Sequence, residues 1–205
     1  MNANATIKEA VIQEQILQAA KQLFAVHGFA RVTMDDVAKA VGKGRSSLYY
    51  YYKNRDEILD AVVHMEINET LSAVEKAVDR AGTAEAKFTA YCKAKLRIAK
   101  EKDSFLNVLE AGMDAEALTH FNKTKVGLRE LIMKRESALL TRVVQEGIKH
   151  RELAPIEKSK MDNLIFVLLS SVLGLKRTMH IERHTREIEP IAAQFTSLIM
   201  RGLGK

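Results

Sequence analysis

The sequence has little of what punctuates a chain: two prolines, ten glycines and a single cysteine in 205 residues. An all-β fold needs many turns, and glycine and proline supply most of them, so a helical fold is expected instead. Cys92 has no partner in the sequence. It can neither close an internal disulfide nor supply the paired ligands of a zinc finger or ribbon. Long apolar runs are missing as well. The longest unbroken one, Leu164 to Leu169, is far below the roughly eighteen residues of a bilayer span, and Met1-Asn2-Ala3-Asn4 shows no charged-then-apolar leader pattern. The expectation is a soluble, cytoplasmic protein.

What is present is positive charge, and its placement matters more than its amount. Lys and Arg number 32 against 26 Asp and Glu, a formal +6 that would mean little if spread evenly. Residues 1 to 55 hold Lys8, Lys21, Arg31, Lys39, Lys43, Arg45, Lys53 and Arg55 against Glu9, Glu14, Asp35 and Asp36, a net +4. The same quarter of the chain holds Tyr49, Tyr50, Tyr51 and Tyr52, four of the five tyrosines. A polyanionic partner at this end is the function class to which the clustering points.

Apolar period places the helices. Ile12, Ile16, Ala19, Ala20, Leu23 and Phe24 form one stripe that ends at Gly28, which predicts a first helix over 5–27. Thr33 with Asp36 reads as a capping box that opens a short helix to Ala40, with Val37, Ala38 and Val41 inward. After Gly42-Lys43-Gly44 a third helix runs over 45–52 around Leu48, and Asn54 with Glu57 repeats the cap and opens a long helix over 54–80. Further helices are expected over 84–101, 104–112, 115–150, 156–181 and 186–202, about nine in all, with no internal repeat. The long helix, at about 1.5 Å per residue, would reach from the basic unit into the rest of the chain.

Two short helices about a glycine-containing turn have the dimensions of a helix-turn-helix, whose second helix enters the DNA major groove. With Leu48 inward, Arg45, Ser46, Ser47, Tyr49 and Tyr50 occupy the other faces of that helix. A guanidinium forks onto guanine, and hydroxyls bond bases or phosphates. Thr33 at the start of the preceding helix is placed to hold a phosphate, and Lys43, Tyr50 and Lys53 to pin the flanking backbone. Tyr51 and Tyr52, three and four residues past Leu48, read as its companions in the core.

Three stretches carry a resemblance to a known family: Ile16-Leu17-Gln18-Ala19-Ala20-Lys21-Gln22-Leu23-Phe24-Ala25-Val26-His27-Gly28-Phe29, Thr33-Met34-Asp35-Asp36-Val37-Ala38, and Leu48-Tyr49-Tyr50-Tyr51-Tyr52-Lys53-Asn54-Arg55-Asp56-Glu57-Ile58-Leu59. Over about residues 12 to 62 the chain resembles the DNA-binding domain of tetracycline-repressor (TetR/AcrR) regulators. The resemblance implies an N-terminal three-helix DNA-binding domain, residues 1–54, and a helical effector-binding and dimerisation domain, 55–205. It implies a homodimer on a palindromic operator, joined through the last two helices. Thr33 falls at the phosphate-capping position, Arg45, Ser46, Ser47, Tyr49 and Tyr50 on the recognition helix, and Lys53 at the phosphate-contacting lysine. The sequence departs from the family pattern at Gly44, commonly Ser, at Ser46, commonly Gly, and at Tyr50, commonly His. Gly44 caps more weakly than Ser.

The remaining chain matches by architecture. Glu146-Gly147-Ile148 through Glu152-Leu153-Ala154-Pro155 is similar to the family's junction before the penultimate helix, and that helix, apolar on nearly all sides, reads as buried on all of them. Residues expected to point inward and to line an effector pocket are Met65, Phe88, Tyr91, Cys92, Phe105, Met113, Phe121, Met133 and Phe166, each also acceptable as plain core. Met and Phe line adaptable apolar cavities, so the expected effector is small and hydrophobic or amphipathic. His64 reads as a hydrogen-bonded core histidine. His180 and His184, with Glu187, have a metal-binding spacing but sit among Lys176, Arg177, Arg183 and Arg186, and read as a solvated connector. No metal or cofactor is expected.

No nucleophile elbow, phosphate-binding glycine loop or HExxH motif appears, so an enzyme is not the expectation. The reading is a ligand-responsive transcriptional regulator, a repressor that binds double-stranded DNA. The alternative is a helical scaffold binding nucleic acid without sequence preference, or binding a protein partner.

Overall fold

The computed structural model describes residues 3–183 and 185–204. Its elements are α1 (Ala3–His27), a 3-10 turn (Phe29–Arg31), α2 (Met34–Ala40), α3 (Arg45–Tyr51), α4 (Arg55–Asp79), α5 (Ala84–Ala111), α6 (Ala115–Lys149), α7 (Lys158–Ile181) and α8 (Ile188–Leu203). The fold is all-α, with no strand among the described residues beyond an isolated bridge between Leu153 and Gly204. Nine helical elements are present among the described residues, although two differ from expectation. No break falls at Lys102-Asp103, where neither glycine nor proline stops the chain, so α5 is one helix of 28 residues. The ninth element is instead the 3-10 turn after α1.

Side-chain caps open several of the helices. The Asp114 carboxylate accepts from the Ala117 amide at 2.9 Å to open α6, and the Thr83 hydroxyl accepts from Ala86 at 3.1 Å to open α5. Glu152, in the junction before α7, reaches back to accept from the Ala84 amide at 2.6 Å. Gly28 ends α1 at φ 76 and ψ 155, a backbone region that side chains do not tolerate.

Packing divides the chain into two compact units: residues 1–68 with 104–128, and residues 69–103 with 129–205. Compactness thus cuts the sequence at places other than residue 54, because α4, α5 and α6 each contribute to both units. In the first unit Ile16, Ala20 and Phe24 of α1 are buried, as are Phe29, Val37, Leu48, Ile58, Val62 and Phe121. Arg55 fastens this unit. Its Nη1 donates to the carbonyls of Phe29, Ala30 and Val32 at 3.1 to 3.2 Å, and its guanidinium lies 4.0 Å over the Phe29 ring. The second unit has a continuous core that includes Val74, Phe88, Tyr91, Cys92, Leu140, Val144, Leu153, Leu168 and Ala192.

One face of α7 supplies Ile165, Leu168, Leu169, Val172 and Met179 to that core. The other does not: Phe166, Val167 and Leu173 are exposed. A helix apolar all round was expected to be buried all round, and within one chain it is buried on one side only. By length and composition α7 also passes as a membrane span, which counting unbroken apolar runs overlooked.

Candidate nucleic-acid interface

The helix-turn-helix is built as its sequence demands. Thr33 and Asp36 close a full capping box: the Asp36 amide donates to the Thr33 hydroxyl at 3.2 Å, and the Thr33 amide to the Asp36 carboxylate at 2.9 Å. The Thr33 hydroxyl also donates to the same carboxylate at 2.7 Å. These bonds hold the Asp36 carboxyl below its ordinary range. α2 ends in a Schellman turn, with Lys43 N–H to the Ala38 carbonyl, Gly42 N–H to the Lys39 carbonyl, and Gly42 at φ 68. Gly44 then caps α3 with no side-chain bond, the weaker start that its lack of a hydroxyl predicts.

α3 buries Leu48 and turns almost everything else outward. Arg45, Ser46, Tyr49 and Tyr50 are exposed and Ser47 is half-buried, and Thr33, Lys43 and Lys53 flank them on the surface. Tyr50 is the extreme case at 73% exposed. All eight residues expected to contact DNA are therefore accessible, and all lie on α2, α3 and the segments joining them to their neighbours. Tyr51 and Tyr52, expected in the core, are only half-buried. They border an open depression with Leu17, Glu57, Asp60 and Met65, since Leu48 alone fills the space beneath so short a helix. His64 is exposed on the same depression, not in the core.

Sequence reasoning missed the side chains that tie this head together. Arg55 is one. Asp60 is another: it accepts from Thr124 Oγ1 at 2.6 Å and lies 3.0 Å from His120 Nε2. The only prior signal was an Asn-x-x-Glu cap, and it too is altered. The Glu57 amide donates to Asn54 at 2.8 Å, but the Glu57 carboxylate accepts from Lys53 N–H, one residue before the cap.

The nine residues expected at an effector pocket do not form one group. Met65, Phe105, Met113 and Phe121 belong to the first compact unit; Phe88, Tyr91, Cys92, Met133 and Phe166 belong to the second. Phe88, Tyr91 and Cys92 share one buried cluster. Within it the Tyr91 hydroxyl donates to Glu136 at 2.8 Å, and Lys95 pairs with the same buried carboxylate. Burial pushes the Cys92 thiol up to about 11, which leaves it protonated and unreactive at neutral pH. Phe121 is buried, whereas Met65, Phe105 and Met113 are half-buried. Two residues correct the expectation of pointing inward: Met133 is 41% exposed and Phe166 is 63% exposed. Met133 lies in a stretch, 129–135, where no residue is buried, and Phe166 is on the outer face of α7. His180 and Glu187 are exposed, and His184 lies outside the described residues.

Residues 16–62 match the model of bacterial regulatory proteins of the tetR family, a span that begins on α1 and ends inside α4 and so contains the whole helix-turn-helix. Over these residues the chain is similar to the tetR family. Along its whole length it is similar to the uncharacterized HTH-type transcriptional regulator YhgD of Bacillus subtilis, at 22% identity over 92% of this chain and 94% of that one. The head alone is similar to IcaR, the negative transcriptional regulator of the biofilm operon icaADBC in Staphylococcus epidermidis, at 38% identity over 23% of this chain and 25% of that one. In fold it is similar to the regulator FadR of Bacillus subtilis, solved in complex with stearoyl-CoA, with a TM-score of 0.56, 16% identity, and 92% and 98% of the two chains covered. The curated relatives YhgD and IcaR are HTH-type transcriptional regulators.

Proposed function

We propose that the chain acts as a cytoplasmic, homodimeric, ligand-responsive repressor that binds a palindromic operator. The observation that carries this reading is the surface of α3, where only Leu48 is buried and the exposed side chains are a guanidinium, hydroxyls and phenols. Arg45, Ser46, Ser47, Tyr49 and Tyr50 would read base edges, while Thr33, Lys43 and Lys53 would fix the phosphate backbone. One helix of seven residues reads few base pairs, so two copies about 34–36 Å apart are needed to enter successive major grooves. A two-fold dimer supplies that spacing, and the outer apolar face of α7 with Leu198 of α8 is the surface suited to join it.

Residues 1–54 would then be the DNA-binding domain and 55–205 the effector-binding and dimerisation domain. The effector proposed is small and hydrophobic or amphipathic, in keeping with the Phe88, Tyr91 and Cys92 cluster and the half-buried Lys95 paired with buried Glu136. It acts only through a difference in affinity between DNA-competent and incompetent forms, and a tenfold loss of operator binding needs about 1.4 kcal/mol of coupling. The continuous α4 is the element proposed to carry it. Repression rather than activation is supported by the negative regulator IcaR, to which the head is similar.

Selection of bound sequences from random duplex DNA by the purified protein tests the proposal. Enrichment of a palindrome is expected. Recovery of unenriched sequences, with binding equal for every duplex, would instead favour a non-specific nucleic-acid scaffold.

A further inference from the structure

Two of the three long base-reading side chains of α3, Arg45 and Tyr50, are each held by a carboxylate from another helix. Asp35, in the first turn of α2, places Oδ1 3.2 Å from Arg45 Nε and Oδ2 3.4 Å from Nη1. The Tyr49 ring lies 5.6 Å from the guanidinium carbon. Asp35 is not part of the α2 cap, which uses Asp36. Its Oδ1 is buried and, among the described residues, accepts no hydrogen bond, so its relation to Arg45 is an ion pair. Tyr50 is held in the same way. Its hydroxyl donates to Glu9 of α1 at 3.3 Å, and its ring meets Tyr51 edge-on, with 5.0 Å between centroids.

These contacts do little for the fold. Exposed ion pairs contribute close to nothing to stability, and both Arg45 and Tyr50 stand in solvent. What they restrict is side-chain freedom, which would otherwise be lost on meeting DNA. A guanidinium has five N–H donors, and Asp35 engages at most two, so donors remain for a base. The carboxylates also act by sign. Phosphate attraction drives binding to any sequence, and a negative charge beside the reading side chains opposes it wherever no base contact compensates.

We infer that Asp35 and Glu9 are positioning residues for sequence discrimination: they present Arg45 and Tyr50 to base edges and penalise binding through phosphates alone. The inference rests on the proposed DNA-reading role of α3. It adds two acidic residues, one of them on α1, to the determinants of specificity.

The test uses full-length protein, a duplex recovered by selection and a scrambled duplex of equal length, titrated by fluorescence anisotropy. Asp35→Asn is expected to bind the scrambled duplex about threefold more tightly and the selected one no more tightly, so that the affinity ratio falls. Glu9→Gln should lower the ratio by about twofold, because the bond it removes is from a neutral hydroxyl. In an Arg45→Ala background Asp35→Asn should change the ratio no further, whereas a discrimination effect that does not run through Arg45 would persist there. Asp35→Ser gives the same readout if the asparagine variant folds poorly. A wild type that fails to discriminate removes the proposed function and this inference with it. A wild type that discriminates while Asp35→Asn and Glu9→Gln match it overturns the inference alone, as does an Asp35→Asn effect that persists without Arg45.

Discussion

α3 and α7 both hold more side chain in solvent than helices of a packed domain usually do, but they expose opposite chemistry. α3 turns out a guanidinium, hydroxyls and phenols; α7 turns out Phe166, Val167 and Leu173. Exposed donors on a short helix suit a partner made of phosphates and base edges. Exposed apolar side chains suit a partner that removes them from water, which a second copy of the same chain can do. The kind of atom left unburied therefore separates two kinds of partner.

The sharpest way to break this comparison is to charge the α7 face. Phe166→Asp combined with Leu173→Asp is expected to leave the helical content unchanged and to halve the mass measured by sedimentation. Because two linked heads gain from effective concentration, affinity for a palindromic duplex should fall on the order of a hundredfold. A double variant that stays dimeric with unaltered DNA binding would show that this face is not the interface, and α7 would lose its place in the contrast.

The head offers the next largest effect. Arg45→Ala should lose about 1–3 kcal/mol of discrimination between the selected duplex and one altered at the base it reads. Lys53→Ala should weaken binding to all duplexes alike and flatten the salt dependence by about one unit of slope. Equal losses on selected and random duplex for Arg45→Ala would assign it to the phosphate backbone, and the division of α3 and its flanks into reading and positioning residues would collapse.

Legibility in the sequence differed between the two helices for a physical reason. Thr33 with Asp36, the glycines of the turn and Leu48 as a lone apolar residue leave one arrangement for α2 and α3, and the structure has it. In α7 the run Leu164 to Leu169 is apolar at every position, so no period says which side faces the core. Phe166 was expected inward for that reason. At Met133 the period is sound, and the residue is exposed because nothing in its stretch of α6 is buried. The ties that fix the head, Arg55 to the 3-10 turn and Asp60 to Thr124, join residues 23 to 64 positions apart, and no local pattern announces them.

The smallest expected effect sharpens the comparison from inside the head, because it asks whether α2 is rigid before DNA arrives. Thr33 hydrogen bonds hold the Asp36 carboxyl below its ordinary range in the folded protein. A depressed folded value means that this contribution to stability is present in full above the unfolded carboxylate range and is lost as pH falls through the folded value. Thr33→Ala should therefore lower the urea midpoint at neutral pH, and the gap from wild type should narrow, leaving the part due to the Asp36 amide, as the pH is taken below the normal range of aspartate. A gap that stays constant down to that acidity would mean that Asp36 does not act through Thr33. The rigid start of α2, which places Asp35 against Arg45, would then need another source.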